Sequence, residues 1–130
     1  MSHGDPISDM LTRLRNALTA RNLFVDLPLS QIKLNILKVL EAQGFIEQIL
    51  VDKEQRKVRV FLKYIKGRTP LIRGIKRISK SSQRHYAKKD KIPVVSGGFG
   101  LAVLTTSQGI IDGETARKKG IGGELICYVW

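Results

Sequence analysis

Between residues 53 and 93 the chain carries 15 lysines and arginines against 2 acids, whereas residues 1–52 hold 5 against 6 and residues 94–130 hold 3 against 3. Like charges packed this closely cost stability through mutual repulsion, so a surface with no particular partner would mix the signs. The block favours a polyanion over a merely solvated face. With a formal net charge of +12 for the whole chain, nucleic acid or an anionic membrane is the partner class that relieves the repulsion.

A membrane is the weaker of the two. The longest apolar runs, Ile49 to Val51 and Leu125 to Trp130, are far below the roughly 20 residues that a spanning helix needs. Met1-Ser2-His3-Gly4-Asp5 has no basic region followed by an apolar stretch, so no secretory signal is expected, and its acid argues against a transit peptide. Cys127 is the one cysteine, which excludes an internal disulfide, leaves too few soft ligands for a structural zinc site and is consistent with a reducing compartment. At 130 residues and 42% hydrophobic, the chain can form one domain or two small modules sharing an interface.

Apolar periodicity divides the chain. Asp5 and Pro6 suit the N-cap and first position of a helix whose Ile7, Met10, Leu11, Leu14, Ala17 and Leu18 fall on one stripe, leaving Arg13, Arg15 and Asn16 on the polar surface. Leu23 to Leu27 reads as a strand ended by Pro28. Ser30 caps a second helix with Ile32, Ile36, Leu37 and Leu40 inward and Gly44 as its stop. Phe45 to Val51 and the alternating Val58, Val60, Leu62 and Tyr64 make two further strands joined by a turn from Asp52 to Lys57. Gly67, Thr69 and Pro70 mark a module boundary.

Beyond it the pattern is mainly extended: a basic strand from Ile72 to Ile78, a turn from Ser79 to Gln83, a short piece through Tyr86 and Lys88, and two clear strands, Leu101 to Thr106 and Glu124 to Trp130. Asp112 caps a short helix through Ala116 that Gly120 closes. The expected class is α+β: an N-terminal α/β module with two helices and a short sheet (residues 1–66), and a C-terminal β-rich module with one short helix (residues 67–130).

Catalytic groups do not converge. His3 and His85 have no orienting carboxylate in view, and Cys127 alternates within an apolar strand, where it reads as a buried small hydrophobe rather than a nucleophile. Gly97, Gly98 and Gly100 lack the Lys-Ser or Lys-Thr pair of a phosphate loop and read as a turn before a strand. Nothing suggests an enzyme, a bound metal, a cofactor or a small-molecule substrate. Thr105-Thr106-Ser107-Gln108-Gly109 is more informative, because its three hydroxyls can donate or accept, which suits the mixed edges of irregular RNA. The same run is also a hairpin turn by its chemistry alone. Lys76, Arg77, Arg84 and Lys88 lie in the basic block and are read as phosphate contacts.

Three stretches resemble a known family. Asp5-Pro6-Ile7-Ser8-Asp9-Met10-Leu11-Thr12-Arg13-Leu14-Arg15-Asn16-Ala17, then Gly44-Phe45-Ile46-Glu47, then the tail from Gly100 through Thr105-Thr106-Ser107-Gln108-Gly109 and Ala116-Arg117 to Gly120-Ile121-Gly122-Gly123-Glu124-Leu125-Ile126-Cys127-Tyr128-Val129-Trp130 are similar, in order and spacing, to the small-subunit ribosomal protein eight family. The resemblance spans nearly the whole chain. It implies a two-module protein, without a cofactor, that binds a stem in the central domain of small-subunit rRNA early in subunit assembly. Neighbouring ribosomal proteins would be its other partners, and the bacterial cytoplasm or plastid stroma its setting.

Carried over by position, the resemblance implies RNA contacts by Thr105, Thr106, Ser107 and Gly109, an aromatic contact by Tyr86 and a glycine-rich contact by Gly122, Gly123 and Glu124. Side-chain-free glycines let backbones approach, and Tyr86 offers a stacking plane. Glu124 facing phosphate would be repelled, so it either accepts from bases, orients protein donors or stands in water at a strand end. The family-like opening also makes Arg13, Arg15 and Asn16 candidates for a second rRNA contact. Two positions depart from the family pattern: Ser81-Ser82-Gln83 replaces proline-glycine-leucine, and Gln108 stands where a basic residue is common. A free RNA-binding regulator or chaperone is the alternative to a subunit component.

Overall fold

The computed structural model describes residues 5–130; His3 lies outside them. The fold is α+β, and the chain forms two compact units, Pro6–Arg73 and Gly74–Trp130 with Asp5.

In the first unit α1 (Pro6–Thr19) buries the six stripe residues Ile7, Met10, Leu11, Leu14, Ala17 and Leu18. An antiparallel sheet of β1 (Phe24–Pro28), β2 (Ile46–Asp52) and β3 (Lys57–Leu62) has the order β1-β3-β2. Pro28, which has no N–H to give to a ladder, ends an edge strand. Val58, Val60 and Leu62 of β3 are buried while Lys57, Arg59 and Phe61 between them are partly exposed, the two-faced pattern that alternation demands.

Ser30 caps α2 (Gln31–Ala42), its hydroxyl accepting from the Lys33 N–H at 3.3 Å. One expectation fails here. Ile32 is 45% exposed, and Lys33 is buried with Ile36, Leu37 and Leu40. At about 100° per residue, position 33 falls at the centre of the arc spanned by 36, 37 and 40, and position 32 at its rim. The aliphatic stem of Lys33 therefore covers core surface that an isoleucine was expected to cover.

Tyr64 also departs from the expected continuous strand. Lys63 interrupts the ladder, and Tyr64 opens β4 (Tyr64–Ile65), which pairs with β5 (Thr69–Pro70). The turn formers Gly67, Thr69 and Pro70 thus close a hairpin of the first unit, and the change of unit comes at Arg73–Gly74.

The second unit is organised by β10 (Gly123–Val129). Antiparallel to it run β6 (Ile75–Arg77), β7 (Tyr86–Ala87) and β8 (Leu101–Thr106), and β8 pairs onward with β9 (Gly109–Asp112), a strand that periodicity did not reveal. Asp112 accepts from the Thr115 N–H at 3.2 Å and caps α3 (Gly113–Lys119). Ala116 of this helix packs with Ala87, Ile92, Ala102, Leu104 and Leu125 in one cluster. Ser96–Gly98 is a 3-10 turn ahead of β8, in agreement with a turn over the glycines.

Leu14→Ala, at a fully buried site, should cost about 2–5 kcal/mol of unfolding free energy in urea titration. Ile32→Ala should stay within about 0.5 kcal/mol; a larger loss would restore Ile32 to the core.

Candidate nucleic-acid interface

The start of β10 gathers three of the expected contact residues by backbone pairing alone. Glu124 is opposite Tyr86 on one side and opposite Thr105 on the other, so Tyr86, Glu124 and Thr105 stand on three adjacent strands at one end of the sheet. Tyr86 is 72% exposed, the condition for a stacking platform. Its approach is fixed by Ser79, whose sequence context signals only a turn. The buried Ser79 hydroxyl accepts from the His85 N–H at 2.7 Å and donates to the His85 carbonyl at 3.2 Å. Lys80 and Gln83 exchange backbone bonds around Ser81 and Ser82, so the segment without the family's proline-glycine still makes a closed turn ahead of Tyr86. No periodicity signals a serine of this kind, because its partner is brought by the turn.

The second feature is the β8–β9 hairpin, in which Thr106 pairs with Gly109 and leaves Ser107 and Gln108 as the exposed tip. The Thr106 hydroxyl donates to the Gly109 carbonyl at 2.8 Å and accepts from the Gln108 N–H at 3.1 Å. Gly109 has φ of 99°, which a side chain would oppose. The hydroxyl of Thr106 therefore shapes the loop, while that of Ser107 faces solvent. The Gln108 side chain accepts from the Lys119 ammonium at 3.1 Å, so a cation from the end of α3 stands beside the tip.

Gly122 and Gly123 are required by the protein itself. A Cβ on Gly122 would lie 2.3 Å from the Ala87 carbonyl oxygen, and one on Gly123 would lie 2.3 Å from that of Thr105. Their missing side chains let β7 and β8 close on the start of β10.

The basic residues divide by what they hold. Arg84 donates to the Glu124 carboxylate at 2.9 Å, and this bond pushes its guanidinium above the ordinary value. Glu124 thus has a protein donor as its partner. Arg77 is mostly buried; it donates to the Ile126 carbonyl at 2.8 Å and meets the Asp5 carboxylate at 3.4 Å. Lys76 and Lys88 are exposed. Arg13, Arg15 and Asn16 are exposed on α1 in the other unit, with Arg13 3.4 Å from Asp9.

Burial pushes the Cys127 thiol up to about 12, so it packs as an apolar group. Among the described residues no cluster of His, Cys, Asp or Glu could hold a metal, and no helix is long and apolar enough to cross a membrane.

Arg77→Gln should lower stability by about 1–3 kcal/mol, because the Ile126 carbonyl and the Asp5 carboxylate lose a charged donor. Lys76→Gln, next to it in the chain, should change stability by less than about 0.5 kcal/mol. Equal unfolding midpoints for the two variants would remove the structural role given to Arg77.

The family model described as Ribosomal protein S8 matches residues 5–130. Proteins named small ribosomal subunit protein uS8 match over their lengths. The one from Chlamydia felis is 52% identical over 128 residues, covering 97% of this chain and 96% of the relative. That from Geobacter sulfurreducens is 50% identical with both chains fully covered, and that from Halothermothrix orenii is 47% identical with the same coverage. On this match of sequence across both units, the chain belongs to the ribosomal protein S8 family, a structural and non-enzymatic component of the small ribosomal subunit.

Proposed function

We propose that the chain binds a helical region of the central domain of small-subunit rRNA and so supports subunit assembly and translation, in a bacterial cytoplasm or plastid stroma. The observation that carries this reading is the end of the second unit's sheet, where Tyr86, Glu124 and Thr105 are aligned beside a hairpin whose shape is closed by its own hydroxyl. Such an edge offers a ring, a hydroxyl and peptide groups in fixed places. An irregular stem exposes base edges, ribose hydroxyls and phosphates in a pattern that fixed mixed donors can match.

The RNA-binding part is residues 67–130, with Tyr86, Thr105, Thr106, Ser107, Gly109, Gly122, Gly123 and Glu124 at its recognition edge. Lys76 and Lys88 supply phosphate attraction directly. Arg84 acts beside Tyr86 through its bond to Glu124, and Arg77 acts by holding β6 against β10. In residues 1–66, Arg13, Arg15 and Asn16 form a second contact from the polar surface of α1. Neighbouring small-subunit proteins complete the setting.

The hairpin separates shape from contact. Ser107→Ala should weaken a cognate stem by about 0.5–1.5 kcal/mol, for one hydrogen bond unmade, with melting temperature unchanged. Thr106→Ala should lower both affinity and melting temperature, because it opens the turn. If both variants kept wild-type preference between cognate and mismatched stems, the loop would be a hairpin only.

Lys76→Gln combined with Lys88→Gln should reduce the slope of log affinity against log salt by roughly 0.7–0.9 for each phosphate no longer neutralised. Filter binding to small-subunit rRNA over a potassium chloride series reads this directly. A slope equal to that of the wild type would take both lysines out of the interface.

A further inference from the structure

The first unit holds a pair of arginines that neither the sequence motifs nor the sheet edge of the second unit accounts for. Arg21 follows α1, where the Arg21 and Asn22 N–H groups return to the Leu18 and Ala17 carbonyls at 3.1 and 2.9 Å. Arg68 lies 47 positions later in the turn between β4 and β5. The Arg21 Nε donates to the Arg68 carbonyl at 3.2 Å, and an Arg68 terminal nitrogen donates to the Arg21 carbonyl at 3.2 Å. Each guanidinium is thereby held at the other arginine's backbone, and both residues are exposed.

Both residues also take a backbone conformation that side chains resist. Arg21 has φ of 56° and Arg68 has φ of 59°. The position just past a helix and the third place of a tight turn are where glycine is conformationally cheapest. A large side chain there costs local stability, and places where a local rule is broken tend to be functional. The charges add to that cost: no carboxylate ion pair is found for either arginine among the described residues, and Lys66 lies in the same turn as Arg68. Tyr64 sits between the two segments, its hydroxyl donating to the Asn22 carbonyl. Burial pushes its phenol up, against the opposing charges of Arg68 and Arg21.

We propose that Arg21 and Arg68 form a phosphate-binding fork for the backbone of RNA, a contact distinct from the hairpin and Tyr86. Each guanidinium gives one N–H to the opposite carbonyl, which fixes its place, and has the rest of its planar donors for an RNA backbone phosphate. An acidic protein segment could satisfy the same donors. The chain's charge of +12 and its place in a ribosomal protein family favour RNA. The inference rests on the RNA-binding reading of the protein.

The test uses full-length protein and deproteinised small-subunit rRNA in filter binding across a potassium chloride series, with thermal melting of each variant. In Arg21→Gly combined with Arg68→Gly, glycine suits both left-handed positions, so the melting temperature should hold or rise. The slope of log affinity against log salt should become shallower by roughly 0.7–0.9 for each phosphate that the fork no longer neutralises. Arg21→Gln with Arg68→Gln removes both charges while keeping an amide donor at the place of the Arg21 Nε, and should show the same change of slope, which secures the reading should the glycine pair melt early. An unchanged slope in both pairs overturns the proposal: with a lowered melting temperature the arginines are only a latch between two turns, and with poor retention in assembled subunits their partner is an acidic protein. The Ser107→Ala variant, run in parallel, separates the two levels. If it binds more weakly while both arginine pairs behave as wild type, the fork fails alone; if the wild type does not bind the rRNA, the functional reading fails with it.

Discussion

The second unit depends on one carbonyl. Between Leu125 and Cys127 the pairing of β10 with β8 slips by one residue, a bulge that leaves Ile126 without an opposite partner in that ladder. Its carbonyl is taken up from the other side by the Ile78 N–H at 3.0 Å and by Arg77 at 2.8 Å. A bulge increases local twist and re-aims the residues beyond it. On the near side of this bulge, the start of β10 stays in the sheet, with Glu124 opposite both Tyr86 and Thr105. Arg77, in the most basic stretch of the chain, serves that geometry first.

Charge in this protein is consequently divided between holding and presenting. Arg84 and Glu124 pair beside Tyr86, and Asp26 takes both Arg59 and Lys57 on the face of the first unit's sheet. The bond from Arg59, helped by the charge of Lys57, holds the Asp26 carboxyl below its ordinary value. The stability it lends is present above the unfolded-state value and lost as pH falls through the lowered one. Asp26 and Arg59 are both substantially exposed, so solvent screening keeps this contribution small. Arg59 also stacks over Phe24, 3.9 Å from the ring centre, which organises the sheet face around a cation rather than a hydrophobe.

How much of this could be read from the sequence depended on how local its cause was. The stripe on α1, the Ser30 cap, the span Leu101–Thr106 and the Asp112 cap follow from spacing and turn chemistry within a few residues, and they stand in the structure. Lys33 takes the core place that hydrophobicity alone gives to Ile32, because angular position on α2 outweighs side-chain polarity when the stem is aliphatic. The bulge at Ile126 and the approach of Lys119 to Gln108 join groups that only the tertiary fold brings together, and the lock of Ser79 on His85 depends on a turn geometry that has no periodic signal. The exposed or buried state of a given arginine was equally hidden. Composition places charge in a stretch, but only the fold divides Arg77 from Lys76.

The closed turn at Thr106 has a thermodynamic consequence. A loop whose hydroxyl, amide and carbonyl are already joined has few conformations to give up when a ligand arrives, so binding through it carries a small ordering entropy. Discrimination between ligands then depends on whether the ligand fits a preset outline, and a poorly fitting one gains little from rearrangement of the loop. The same closure leaves the loop little to rearrange on contact.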